Sequence, residues 1–300
     1  MILRPRPAAI DLLFALRGSI LPVVAPKLVL VALVSGLALW LHQLWPGRVG
    51  IENATPFTLL GLGLPIFLGF RNNACYDRWW EGRKQWGALV ATARNMLRDI
   101  NALLPETDKL RPRAAHLVGA FARRLRDQLR GLDEDTRRDW QPAGGWARGT
   151  SDKSGRLLAE LAAELAQRMR DGRISDISYR LFADHLAAMT DVQAACERLR
   201  GAPMPFAYSL MLHRTVWLFC LLLPFGMVDT LGYGTPVLSL ILAYAFLGLD
   251  ALGEQLEAPF STAPNGLPLD AMVRTIEIAV AETLGEPAPE PLRPTNFVLL

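Results

Sequence analysis

A chain of 300 residues that is 51% hydrophobic and 20% charged, with a mean hydropathy of +0.20, is too apolar for an ordinary soluble domain. The 32 basic and 29 acidic side chains leave a formal charge of +3, which excludes a strongly basic nucleic-acid binder and an acidic tail protein. Three scattered cysteines (Cys75, Cys196, Cys220) without a C-x-x-C pair argue against a disulfide framework or thiolate zinc site, and His42, His116, His185 and His213 lack H-E-x-x-H spacing. No cofactor is signalled.

Four stretches lack Asp, Glu, Lys and Arg: 28–47, 53–70, 215–228 and 230–249. A bilayer core needs about 20 apolar residues per helix. The first and fourth meet that length alone. The second can extend inward, and the third can begin near Phe206. The expected plan is an all-α polytopic membrane protein with four transmembrane helices and a helical cytosolic region. Its parts are a cytosolic segment 1–27, spans at 28–47, 53–80, 207–228 and 230–250, a helical cytosolic region 81–206, a helical segment 251–285 and a Pro-rich tail 286–300.

Charge sets the orientation. With both termini cytosolic, the outside loops 46–55 and 229–235 hold one basic residue, Arg48. Arg4, Arg6, Arg17 and Lys27 precede the first span, and Arg71 and Arg214 bound the next two, as positive-inside orientation requires. Trp40, Trp45, Trp217 and Tyr233 fall near span ends as an aromatic belt. No small-residue cleavage site follows the first apolar run, so it reads as a retained span.

The region between the second and third spans reads as helical. Leu117 to Leu132 repeats apolar residues at three and four, with Arg123, Arg124, Arg126 and Arg130 on a solvated face. Thr150 or Ser151 caps a helix through Leu157, Leu158, Leu161, Leu165 and Met169 that Gly172 ends, after a Gly-rich link at 141–149. Ile174, Ile177, Leu181, Leu186, Met189, Val192, Cys196 and Leu199 form a further stripe. After the fourth span the helix continues to Ala258, 259–268 is a turn-rich break, and 270–284 is helical. Pro287, Pro289, Pro291 and Pro294 keep the tail from regular helix, leaving it extended on a partner or disordered.

The second span is unusual for a lipid-facing helix. It holds Gly61, Gly63, Gly69 and Pro65; small residues let helices approach closely, and Pro65 frees the carbonyl of Gly61. Leu62, Ile66 and Phe70 recur every four residues, and their face continues through Asn73 or Ala74 to Asp77 and Glu81. Copied around a symmetric ring, this strip stacks three apolar rings above amides and carboxylates. Apolar constrictions gate by dewetting, and carboxylate rings favour cations. The plainer alternatives are helix packing for the apolar three and local pairing with Arg78 or Lys84 for the two acids.

The run from Leu68 to Gly87, LGFRNNACYDRWWEGRKQWG, resembles the bestrophin channel family, specifically its bacterial branch. His213–Gly226, Gly253–Phe260, Asn265–Asp270 and Arg274–Glu277 resemble later segments of that branch in the same order. The resemblance implies a homopentamer with one central ion pathway and a neck lined by Leu62, Ile66 and Phe70. It also implies a second, cytosolic constriction within 172–178, with Ile177 as candidate and Ser178 or Leu181 as neighbours that could replace it. Where animal members carry an acidic calcium clasp, Ser261–Gly266 has no carboxylate. The expected function is a passive channel for small monovalent ions in a bacterial inner membrane. Its partners are further copies of the chain, lipids and permeant ions. Sodium or potassium is favoured, Asp77 and Glu81 leaning the same way, and a chloride or other anion channel is the alternative. The absence of a P-loop disfavours an ATP-driven pump. A membrane enzyme would need a nucleophile–base pair, and Ser35, Ser209, Cys220, His42 and His213 are dispersed in the sequence.

Overall fold

The structure, a computed structural model, describes residues 1–3, 18–51, 55–132 and 153–300. The expected caps Thr150 and Ser151, the link 141–149, and Arg4, Arg6 and Arg17 lie outside them. Among the described residues there are eight α-helices and no strands: α1 (Leu21–Leu44), α2 (Thr55–Leu103), α3 (Leu110–Arg130), α4 (Lys153–Arg170), α5 (Asp176–Gly201), α6 (Phe206–Leu231), α7 (Thr235–Glu257) and α8 (Leu269–Leu284). The chain divides into two compact units, one of 4–79 with 203–258 and one of 1–3, 80–202 and 259–300.

The first unit joins α1, the N-terminal part of α2, α6 and α7. Val24 and Val31 on α1, Leu64 and Leu68 on α2, Val216, Phe219, Cys220 and Leu223 on α6, and Ala243, Phe246, Leu247 and Ala251 on α7 form one apolar cluster. Phe219 and Phe246 meet edge to face at 5.2 Å. Close approach is bought by missing side chains: a Cβ on Gly226 would stand 2.8 Å from the Phe57 ring. Ser35 satisfies its buried hydroxyl by donating to the Val31 carbonyl at 2.8 Å.

Helix bounds depart from the charge-free stretches in an instructive way. α1 starts at Leu21, with Pro22 in its first turn where a missing N–H costs nothing, and so contains Lys27. α2 does not end near 80 but runs 49 residues, unbroken through Pro65. α6 takes in Asp229, and α7 runs through Asp250 to Glu257. Charges that look like helix ends in the sequence therefore sit inside helices. Two segments, Leu21–Leu44 and Phe206–Glu257, are long and apolar enough to cross a membrane. The start of α2 is diluted by its glycines and prolines.

The second unit packs α3, α4, α5, α8 and the later part of α2 around Trp86, Met96, Ile100, Phe121, Leu125, Leu161, Leu165, Phe182 and Met189. Each fully buried large side chain here contributes about 1.5–3 kcal/mol by leaving water. α3 buries a three-and-four stripe, Ala114 to Leu129. Its arginines do more than face solvent: Arg126 and Arg130 both grip Asp270 at the start of α8, at 3.0 and 2.7 Å, and exposed Arg123 holds Glu277 at 2.9 Å. The last turn of α4 closes with Gly172 at φ +67°, and Ser175 caps α5 by accepting from the Ser178 N–H at 3.1 Å. The tail is non-helical, as its prolines require, but it docks on its own chain. Val298 bridges Ile2 and Thr295, and the Ala271 N–H donates to the Leu300 carbonyl at 2.9 Å.

Candidate functional site

α2 carries two faces of opposite character. Leu64, Leu68, Arg71 and Cys75 are buried, Leu68 and Cys75 completely. On the other side of the same turns, Leu62, Ile66 and Phe70 are 66%, 56% and 63% exposed. At about 100° per residue, the face of Leu62, Ile66 and Phe70 continues through Asn73 to Asp77, and both of these are exposed too. The tertiary packing thus leaves free the apolar strip that the four-residue spacing singles out. Large apolar side chains left exposed in a row mark a surface that meets something other than water.

The two acids at its inner end differ. Asp77 is exposed. Glu81 pairs along its own helix, with Lys84 Nζ at 2.8 Å and with Gln85 Nε2 donating at 2.6 Å. The bonds from Lys84 and Gln85 hold its carboxyl below the usual carboxylate range. Its charge is partly cancelled, so the local-pairing alternative describes Glu81.

Ile177 sits in the first turn of α5 and is 77% exposed. Leu181, expected in the same buried stripe, is exposed as well, while Ile174, Phe182 and Leu186 fill the core. The stripe is therefore interrupted at Ile177 and Leu181, and Phe182 joins the core in their place. Ser178 is engaged by the Ser175 cap, with the two hydroxyls 2.9 Å apart.

A buried polar cluster escapes the sequence reading. Arg71, directly after Phe70, donates from Nη1 to Asp250 Oδ1 at 2.6 Å, and its Nη2 lies 3.4 Å from Glu257 Oε2. The other Asp250 oxygen stands 2.7 Å from His213 Nδ1, and Trp217 Nε1 donates to His213 Nε2 at 3.1 Å. The indole donation leaves Nε2 unprotonated and places the imidazole proton on Nδ1, toward the carboxylate. Arg71 and Asp250 are 4% and 2% exposed. A Cβ on Gly253 would stand 2.3 Å from Asn72 Oδ1, so only glycine lets α7 approach here. Arg71 and Asp250 each border an apolar run, a position that in sequence reads as a helix end and gives no sign of a partner. None of this is a nucleophile–base arrangement; His213 bonds structurally, to Asp250 and Trp217.

A model of the bacterial and fungal bestrophin protein family matches residues 1–282. The chain belongs to the bestrophin family. A voltage-dependent anion channel-forming protein of Mesorhizobium japonicum is 41% identical over 299 residues, covering 99% of this chain and 96% of that one. The voltage-dependent anion channel-forming protein YneE of Escherichia coli is 40% identical over 290 residues, covering 93% and 92%. The crystal structure of a bacterial bestrophin homolog from Klebsiella pneumoniae, 39% identical, superposes with a TM-score of 0.80 over 88% of this chain and 99% of that one. This bestrophin is accordingly an all-α membrane protein of an ion-channel family, not of an enzyme family.

Proposed function

We propose that this bestrophin assembles as a homopentamer around one ion pathway and conducts small monovalent ions passively. The observation that carries the reading is the exposed apolar strip of Leu62, Ile66 and Phe70, set opposite the buried face of α2. Five copies of it around an axis form a dry neck that opens when wetted. Ile177, exposed at the start of α5, is the candidate second constriction, and Asp77 the candidate for charge selection below the neck. The chain sits in a bacterial inner membrane with both termini in the cytosol, the orientation its basic residues favour.

Sodium and potassium are the favoured ions, because exposed Asp77 continues the neck face ahead of Glu81 and Lys84, whose charges cancel as a pair. A second reading, an anion channel of the same architecture, is favoured by the names of the Mesorhizobium and Escherichia relatives. Purified protein in liposomes under a NaCl gradient tests both. Passive flux with a reversal potential on the cation side is expected. A potential on the anion side selects the second reading, and no flux rejects the channel.

A further inference from the structure

The neck side chains Leu62, Ile66 and Phe70 carry no charge and cannot choose between a cation and an anion. Glu81 is held by Lys84 and Gln85. The fixed charges nearest the neck in the chain begin at Arg71, one residue beyond Phe70, whose Cα is about 3.8 Å away. Arg71, Asp250 and Glu257 form one cluster of a guanidinium and two carboxylates. His213 adds no positive charge, since Trp217 donates to its Nε2 and the ring proton faces Asp250. The cluster therefore carries one net negative charge. Arg71 and Asp250 are nearly inaccessible to water and Glu257, which carries the excess charge, is 21% exposed, so the cluster is screened less than a fully exposed acid. Ionisable groups buried at membrane depth are costly to keep and mark ion paths.

We infer that the Arg71–Asp250–Glu257 cluster, in the wall behind Phe70, is a determinant of ion sign, its net negative charge biasing the neck toward cations. This rests on the proposed channel and on α2 lining it. Repeated in every copy, the cluster surrounds the pathway with fixed charge that no permeating ion touches.

The test is reversal potential in liposomes under a NaCl gradient, for wild type, Asp250→Asn, Glu257→Gln, Arg71→Gln and the double variant Arg71→Gln with Asp250→Asn. Removing either carboxylate moves the permeability ratio toward anions, by about threefold for Asp250→Asn and less for the more exposed Glu257. Arg71→Gln moves it toward cations, and the double variant returns close to wild type. A purely structural role alters yield or current size and leaves the reversal potential in place. Glu257→Gln keeps the Arg71–Asp250 pair intact, so it and the charge-balanced double variant decide the matter if Asp250→Asn does not fold. Conducting variants that all reverse at the wild-type potential overturn the inference. The sign of the wild-type preference bears only on the cation reading, because the shifts are expected from either starting point; a wild type without flux overturns both.

Discussion

Phe70 and Arg71 are chain neighbours placed in opposite environments, one 63% and the other 4% exposed. The difference comes from what each offers: a guanidinium near membrane depth must find carboxylates, and Asp250 and Glu257 lie on only one side of α2. Pinning Arg71 fixes the rotation of the helix and turns Phe70 the other way. Replacing Leu62, Ile66 and Phe70 together by Ala should raise single-channel conductance, because a wider and less apolar neck wets more readily; unchanged currents would remove the neck assignment. A different residue-scale effect is expected at Asp108, which accepts a forked pair of bonds from Arg168, at 2.9 Å from both Nε and Nη2, and another from the Leu110 N–H. The Arg168 bond holds the Asp108 carboxyl below its usual range. Asp108→Asn should cost about 2 kcal/mol of stability, read as a lower thermal midpoint in detergent. Because the folded carboxyl titrates below the unfolded one, that contribution is complete above pH of about 4 and fades as pH falls further. The variant should accordingly lose its deficit relative to wild type in strong acid.

At the level of elements, α2 and α7 meet where Gly253 has no side chain to interpose. Gly253→Ala drives a methyl into Asn72, whose Nδ2 donates to the Leu249 carbonyl at 3.1 Å. We expect a destabilised protein with altered or absent current, while Gly63→Ala, which meets open space, keeps its fold. The turn between α7 and α8 is drawn shut by its own backbone. Gly266 N–H donates to the Ala263 carbonyl and Leu267 N–H to the Pro259 carbonyl, at 2.8 and 2.7 Å. Lacking carboxylates between Ser261 and Gly266, this segment offers calcium few anionic oxygens, so chelating calcium should leave liposome currents unchanged. In α5, burial pushes the Cys196 thiol up to about 12, with Glu197 and Glu81 adding to the shift. All three cysteines are buried. A maleimide should label none in the native protein and all three after denaturation.

For the whole molecule, α2 is the constraint. Its 49 residues span about 74 Å, more than twice a hydrocarbon core of about 30 Å, so only part of it can sit in the membrane. Large apolar side chains stand exposed along its first turns and along α1, α6 and α7, a surface suited to lipid and to neighbouring copies. The proposed assembly predicts a mass of five chains in detergent and in lipid, by light scattering or native mass spectrometry. A monomer in both would dissolve the pathway.

The sequence by itself determined that the chain is helical and membrane-bound. Hydropathy over four charge-free stretches and basic residues concentrated outside them are local properties, legible without packing. The four-residue recurrence of Leu62, Ile66 and Phe70 needed only helical periodicity; their reading as a neck is what the resemblance to the bestrophin family implies. Three-dimensional packing decided the rest, because it depends on partners distant in the chain. Arg71 and Asp250, 179 positions apart, look like helix ends until their ion pair is seen. Likewise the α3 arginines look solvated until Asp270 and Glu277 approach, and the tail looks unanchored until residues 1–3 and α8 receive it. Periodicity shows which side chains share a face; only the fold shows which face is buried and which charge is paid for by another.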